Sequence, residues 1–271
     1  MSLLFEDAGY FDLTTHGLGI GNKMGTMKYA PKQKIVLCGV DEAKKVFDEL
    51  GLKYVFFKHN GEVVEAKESI VLCEGEAEKL HKAWKIVQNI FEYMSGISTY
   101  TNQLLSLARE INPNISISTT RKNLPSAKEL MLKAVMCGGG VPHRLGLYDT
   151  ILVFAQHLEF FKTKDELESG FKNLKESFVE KKVTVEVENF GEAEYFASLG
   201  ADILQCEKMN YEELSRCTTL KQNYPNLLLS ATGGINHSNI QEYVKCGVDL
   251  IVTSSPYHAK PLDVKVSMEP L

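Results

Sequence analysis

From Val183 onward the chain keeps one beat: VTVEV at 183–187, a helical stretch near Glu192–Leu199, ADILQC at 201–206, a helix near Tyr211–Gln222, LLLSA at 227–231, a helix near Ser238–Cys246 and DLIVTS at 249–254. Short apolar runs alternating with amphipathic segments specify βα units and a parallel sheet. The runs are nearly continuous in hydrophobicity, as strands covered on both faces must be. Upstream, ISIST (115–119) and TILVFA (150–155) read as two more strands, with a helix over Ser126–Met136 between them. At least six strands follow one another in order.

Polar residues fall on these strands at one end only. Arg121 and Lys122 come after the first, Phe154 ends the second, Glu186 is late in the third and Glu207 follows the fourth. Thr232, Gly233 and Gly234 follow the fifth, and Ser254 and Ser255 follow the sixth. In a β/α barrel the C-terminal ends of the strands form the mouth of the active site, so the pattern favours an enzyme-like barrel over a doubly wound sheet. The first hundred residues differ. KIVLCGV (34–40), KYVFFKHNGEVV (53–64) and SIVLCEGEA (69–77) are β-rich, and Asn60-Gly61 predicts a hairpin. Leu80, Trp84, Val87, Phe91 and Met94 then recur at spacings of four and three, which predicts a helix with one apolar face. Asn112-Pro113-Asn114 breaks that pattern and sets a boundary near residues 105–114.

Between Thr119 and His157 the chain gathers Arg121, Lys122, Lys133, His143 and Arg144 around the glycine run Gly138, Gly139 and Gly140. Cationic runs are ordinarily solvated faces. Here the protein as a whole is acidic, at formal net charge -5, and glycines can bring backbone N–H groups close to an anion. A site for a multiply anionic small molecule is the reading. Glu186 and Glu207, at the ends of successive strands, would share one rim, where they could hold ribose hydroxyls or a hard cation such as Mg²⁺, directly or through water. A strand-end ion pair is the plainer account of either acid. Alternation places Glu188 on the side of Glu186 and does not separate them. ATGGI (231–235), with Asn236–Ser238 available as caps, and VTSSPYH (252–258) read as neighbouring loops for a phosphate, His258 beside them.

The same composition excludes several classes. No stretch of 18 apolar residues occurs, and MSLLFEDAGYFD carries acids where a secretory signal carries bases, so a soluble cytoplasmic protein without membrane insertion is expected. The acidic balance argues against nucleic-acid binding. Six cysteines without a C-x-x-C pair argue against a structural zinc and a disulfide framework, and read as reduced and mostly buried.

FDLTT (11–15), GEVVEAKESIVLCEGEAEKLHKAWK (61–85), MSGIST (94–99), TTRKNLP, AVMCGGGVPHRLGLYD, VEVEN, ATGGI and PLDVKV (261–266) together resemble the quinolinate phosphoribosyltransferase family. The resemblance runs in order over nearly the whole chain. It implies a type II phosphoribosyltransferase, with an N-terminal α/β sandwich domain over residues 1–107 joined by 262–271, and an incomplete α/β barrel over 108–261. It also implies a homodimer or higher oligomer in which one subunit's N-terminal domain caps the other's barrel. The implied reaction joins quinolinate to 5-phosphoribosyl 1-pyrophosphate with Mg²⁺, releasing pyrophosphate and CO₂. Carried over by motif, Arg121, His143 and Arg144 match the cationic pocket for the substrate's carboxylates. Lys122, Glu186 and Glu207 match positions that hold phosphoribosyl pyrophosphate and its metal, and Thr232, Gly233, Gly234, Ser254 and His258 match the 5-phosphate end.

Four departures change the expectation. GLYDTILVFAQH carries Phe154 where the family has a lysine, with His157 kept, and Trp84-Lys85 stands where the family has Glu-Arg. Lys85 keeps the charge but loses the bidentate fork. Glu207 replaces the usual aspartate and Ser254 the usual glycine. The Trp-Lys pair and the lost lysine resemble the ModD subgroup, related proteins associated with molybdate transport. Losing one charge-assisted bond to a dianion costs about 1.5–3 kcal/mol, roughly ten- to a hundredfold in binding. Three readings remain open: a quinolinate enzyme of NAD biosynthesis, a phosphoribosyltransferase with another aromatic acceptor, and a noncatalytic anion or nucleotide sensor linked to molybdate uptake.

Overall fold

The computed structural model describes residues 3–271. The chain divides into two units: residues up to Asn102 with Leu124–Gly139 and Pro256–Leu271, and residues Gln103–Asn123 with Gly140–Ser255.

Alternation builds the first unit. Strand β1 (Met24–Pro31) buries every second residue, with Met27 and Tyr29 fully inside. It pairs with β5 (Val71–Glu76) and with β13 (Val264–Pro270) from the far end of the chain, and β3 (Lys53–Phe56) completes an antiparallel sheet in the order β13-β1-β5-β3. The hairpin expected at Asn60-Gly61 does not form. β3 pairs with β5, while β4 (Val63–Val64) pairs with β2 (Ile35–Val36). Asn60 instead accepts the Val40 N–H at 3.0 Å and donates to Asp41, so the turn residue caps the helix Val40–Leu50. The helix Ala77–Arg109 buries Leu80, Ala83, Val87, Phe91 and Met94. Trp84, assigned to that stripe by spacing, lies at its edge, 36% exposed. Tyr29 anchors the core here: its hydroxyl donates to the Trp84 carbonyl at 3.1 Å and its ring meets Phe91 edge-on at 5.7 Å.

Two features of the predicted anion site belong to this unit and serve its packing. Lys133, on the helix Lys128–Cys137, pairs with Asp41 at 2.7 Å and with the buried Glu42 at 2.8 Å. Burial opposes its charge, yet the hydrogen bonds to both acids hold its pKa above the ordinary lysine value. The Gly138 N–H donates to the carbonyls of Ala134 and Val135, and the Gly139 N–H to Met136, so these donors close the helix and are spent. A Cβ at Gly138 would strike the Ser98 carbonyl and come within 2.6 Å of Thr101 Cβ. Close helix packing is what asks for glycine there. All six cysteines are free thiols, five of them buried, and Cys38 and Cys137 lie with their sulfurs 3.2 Å apart.

The second unit is a seven-stranded parallel sheet. In chain order its strands are β6 (Ser116–Thr119), β7 (Val141–Pro142), β8 (Ile151–Val153), β9 (Val183–Val187), β10 (Ile203–Glu207), β11 (Leu228–Thr232) and β12 (Leu250–Thr253). The six expected runs are all present, and β7 is an addition too short to carry a periodic signal. Spatial order is β7-β6-β12-β11-β10-β9-β8, every ladder parallel. Pairing of the last strand with the first, Ile251 opposite Ile117, decides between the two architectures. A doubly wound sheet reverses direction at a switch point; this sheet curls back on itself and stays open between β7 and β8, an incomplete barrel. Its N-terminal rim is pinned by two aspartates. Asp202 accepts the Val183 N–H and Lys175 at 2.7 Å each, and Asp249 accepts the Leu229 N–H at 2.8 Å and Lys221 at 2.7 Å. Among the described residues no helix is long and apolar enough to cross a membrane.

Removing Lys133 leaves Glu42, whose side chain is 6% exposed, with no counter-charge from that lysine. Lys133→Ala is expected to lower unfolding stability by about 1–3 kcal/mol in chemical denaturation. Pairing it with Glu42→Gln should restore most of the loss, and a double variant as weak as the single one would show that the ion pair is not the cause.

Candidate active site

The C-terminal ends of the barrel strands enclose a cavity of about 500 Å³. Arg121, Lys122, His143, Arg144, Phe154, Glu186, Glu207 and Thr232 line it, together with Thr120, Leu152, Gln156, Gln205 and Val252. Register explains the acidic wall. Gln205 pairs with Glu186 across β10 and β9, and Glu207 pairs with Thr232 across β10 and β11. Gln205 and Glu207, two apart on one strand, face the same way. The Gln205 amide donates to Glu186 Oε2 at 2.8 Å, while its own carbonyl oxygen is buried without a hydrogen-bond partner. Sequence reading passed over Gln205, although a glutamine inside the apolar run ILQCE was the available signal. Glu188 stands apart because β9 stops at Val187: its N–H donates to Glu192 at 2.9 Å as the helix Phe190–Ser198 begins, and it does not line the cavity.

Burial raises the Glu186 pKa above the ordinary carboxylate value; the Gln205 hydrogen bond opposes this, Glu207 adds to it and Lys122 opposes it again. Two carboxylates on neighbouring strands form an electron-rich edge that a cation would relieve. Glu207 Oε1 also takes Lys208 at 3.1 Å.

The basic part of the lining is cationic in a narrower sense than the sequence suggested. Arg121 and Lys122 follow β6 and are exposed. His143, whose N–H donates to the Thr119 carbonyl at 3.1 Å, is pushed down in pKa by burial and by Arg144, so at neutral pH it enters as imidazole. Arg144 is buried, 8% exposed, with no carboxylate partner among the described residues. Burial and Arg121 together lower its pKa, though a guanidinium keeps its charge. Its guanidinium carbon lies 5.7 Å from the centre of the Phe154 ring. Phe154 in turn donates its N–H to His157 Nδ1 at 2.9 Å and stacks on that ring at 5.9 Å. The aromatic side chain thus occupies the wall beside the buried cation.

Thr232, Gly233 and Gly234 leave β11 as a tight turn, with φ of 93° and 73° at the two glycines. Gly233 is required: a Cβ would strike Lys208 Cγ and lie 3.0 Å from Glu207 Oε1. Asn236 and Asn239 both donate side-chain amides to the Gly234 carbonyl at 3.1 Å. The helix starts later than expected, at Ile240 with Asn239 as its cap, so Asn236–Ser238 shape the loop instead of capping. Thr253 ties this loop to the one after β12, donating to the Ile235 carbonyl at 2.7 Å and accepting the Ser255 N–H at 3.0 Å. Ser254 follows on that second loop. Lys85, Lys133 and His258 belong to the first unit; Lys85 donates to Gln88 at 3.1 Å and lies over the Trp84 ring at 4.8 Å.

Comparison with known proteins bears on this arrangement. Residues 12–95 match the family described as quinolinate phosphoribosyl transferase, N-terminal domain, and residues 97–267 match its C-terminal domain. The protein called pyrophosphorylase ModD in Pasteurella multocida (strain Pm70) is 35% identical over 267 residues, covering 98% of this chain and 95% of the relative. The protein called nicotinate-nucleotide pyrophosphorylase (carboxylating) in Methanocaldococcus jannaschii is 31% identical over 272 residues, covering 97% and 93%. Among solved structures, the nicotinate-nucleotide pyrophosphorylase from Francisella tularensis superposes with a TM-score of 0.89 at 25% identity, covering 98% of this chain and 93% of that one. With both family domains matched in order and the half-open barrel shared, the chain belongs to the quinolinate phosphoribosyltransferase family.

Proposed function

We propose that this chain is a phosphoribosyltransferase, a pentosyltransferase moving phosphoribose from 5-phosphoribosyl 1-pyrophosphate to a quinolinate-like aromatic acid with release of pyrophosphate. The observation that carries the reading is one cavity lined both by Arg121, Lys122 and Arg144 and by Glu186 and Glu207. Departure of pyrophosphate leaves oxocarbenium character on the ribose. Lys122 stabilises the leaving group, and Glu186 and Glu207 stabilise the ribose side through its hydroxyls. Arg144 and Arg121 take the acceptor's carboxylate charge, and the neutral His143 orients it by hydrogen bonding. Thr232, Gly233, Gly234 and Ser254 take the 5-phosphate end. His258 and Lys85 are assigned by the family's pattern alone.

Mg²⁺ fits the acidic edge. Two carboxylates on adjacent strands suit an ion that keeps several waters and is held by one or two acids plus substrate phosphates. No group of three or more metal-ligating side chains occurs among the described residues, so a site completed by substrate suits this protein better than a cage of its own. Bound there, the ion would neutralise developing pyrophosphate charge. A homodimer in the cytoplasm completes the reading, supported by the family.

A second reading concerns the acceptor. Phe154 beside Arg144 removes a cation from the family's carboxylate pocket and supports an acceptor other than quinolinate, with a role alongside molybdate transport in keeping with the relatives named ModD.

Pyrophosphate release from phosphoribosyl pyrophosphate and Mg²⁺ with an accepted aromatic acid is expected to fall about a hundredfold or more in Glu207→Ala. Release unaffected by that change would remove Glu207 from the chemistry. Phe154→Lys should tighten quinolinate about ten- to a hundredfold in calorimetric titration, and no gain would count against the missing cation as the reason for altered acceptor choice. Glu186, raised in pKa when folded, favours the fold most below its unfolded pKa and loses that contribution as pH rises through the folded value. Glu186→Gln should therefore raise the melting temperature at neutral pH, with the gain vanishing in acid, while transferase activity drops. A stabilisation that persists unchanged in acid would contradict the ionised-carboxylate account.

A further inference from the structure

A second cavity, also of about 500 Å³, adjoins the first in the same unit, and the two share Arg144 and Leu152 as lining. It lies against β8, the strand at the open edge of the sheet. Its wall is mainly hydrocarbon, from Leu158, Phe161, Leu167, Phe171 and Leu174. The ring of Phe161 lies close over Gly170 in the helix Lys164–Ser177, where a Cβ would come within 2.7 Å of it. Ligand sites of this size, apolar with a few polar groups that fix orientation, are typical for small organic molecules. The polar groups here are Arg144, Thr150 and His157. His157 Nδ1 accepts the Phe154 N–H, which leaves Nε2 as the protonated nitrogen of the neutral ring.

Three observations converge. Arg144 is buried, lines both cavities and has no carboxylate partner among the described residues, so its charge is available to an anion. Phe154, at the position beside it, offers a ring face in place of a second cation. The cavity that shares Arg144 is apolar and about as large as the polar one. A single-ring dicarboxylate would use none of that space and would bring a second charge with fewer partners. A larger heteroaromatic with one carboxylate would satisfy the guanidinium and fill the hydrocarbon cavity as well.

We propose that the acceptor is a heteroaromatic monocarboxylate larger than one ring, its carboxylate on Arg144 and its additional apolar part in this second cavity. The inference rests on the phosphoribosyltransferase reading for the identity of the reaction, and only the acceptor's class is added. The acidic wall and the phosphate loops are left to phosphoribosyl pyrophosphate.

The test is calorimetric titration of the full-length protein, saturated with phosphoribosyl pyrophosphate and Mg²⁺, with quinoline-2-carboxylate, pyridine-2-carboxylate and quinolinate. The fused ring is expected to gain about tenfold or more over the single ring, from the apolar surface it removes from water. Leu167→Trp and Leu174→Trp, which fill the cavity, should erase most of that gain, with phosphoribosyl pyrophosphate binding as the check that each variant is folded. Equal affinity for the fused and single rings in the unaltered protein overturns the proposal even when neither variant folds. A fused-ring gain that survives in a folded cavity-filling variant overturns it too. Failure to bind phosphoribosyl pyrophosphate at all, with quinoline-2-carboxylate still bound more tightly, would instead sink the transferase reading and leave the cavity assignment standing.

Discussion

The pairing of β12 with β6 is the constraint on which the rest of the second unit depends. Residues 117 and 251 are far apart in sequence, and their alignment in one parallel ladder brings the first strand beside the last. Once that ladder exists, each strand's C-terminal end must lie on one rim, because parallel strands joined by right-handed crossovers all run the same way. Arg121, Glu186, Glu207, Thr232 and Ser254 then belong to a common neighbourhood without having any local reason to meet. The aspartates on the opposite rim, Asp202 and Asp249, hold strand ends through paired backbone and lysine contacts, which separates the stabilising face from the reactive one.

The cavity itself trades stability for chemistry. Glu186 is half-buried beside another acid, and Arg144 is buried without a carboxylate partner among the described residues, so each charge carries an electrostatic cost. Gln205 meets one of them in part by donating to Glu186, and keeps an unpartnered carbonyl oxygen of its own. Such a set is pre-organised for a ligand that brings cations to one wall and anions to the other. Phe154 shifts the balance beside Arg144 from charge toward apolar contact.

Not every cation and glycine that clusters in sequence clusters for chemistry. Lys133 sits among Arg121, Lys122, His143 and Arg144 in the chain, yet its helical position turns it to Asp41 and Glu42. Gly138 and Gly139 use their N–H groups to end a helix, and Gly138 makes room for another helix's backbone. Burial, and after it the adjacent Arg144, lower the pKa of His143. These are consequences of contacts between distant segments, which no local window contains.

By itself the sequence determined the βα beat, the placement of polar residues at strand ends and the family, because strand periodicity and motif spacing are local properties written in consecutive residues. It also marked Phe154, Lys85, Glu207 and Ser254 as departures, since each is a substitution inside a recognisable motif. Tertiary structure alone decided that the sheet closes through β12 and β6, that Asn60-Gly61 caps a helix instead of turning a hairpin, and that Gln205 belongs to the acidic wall while Glu188 does not. It alone revealed the apolar cavity that Arg144 helps to line. The physical reason is common to all of these: pairing, burial and the electrostatics of neighbours depend on which segments meet across long stretches of chain, and that is fixed only when the whole core is packed.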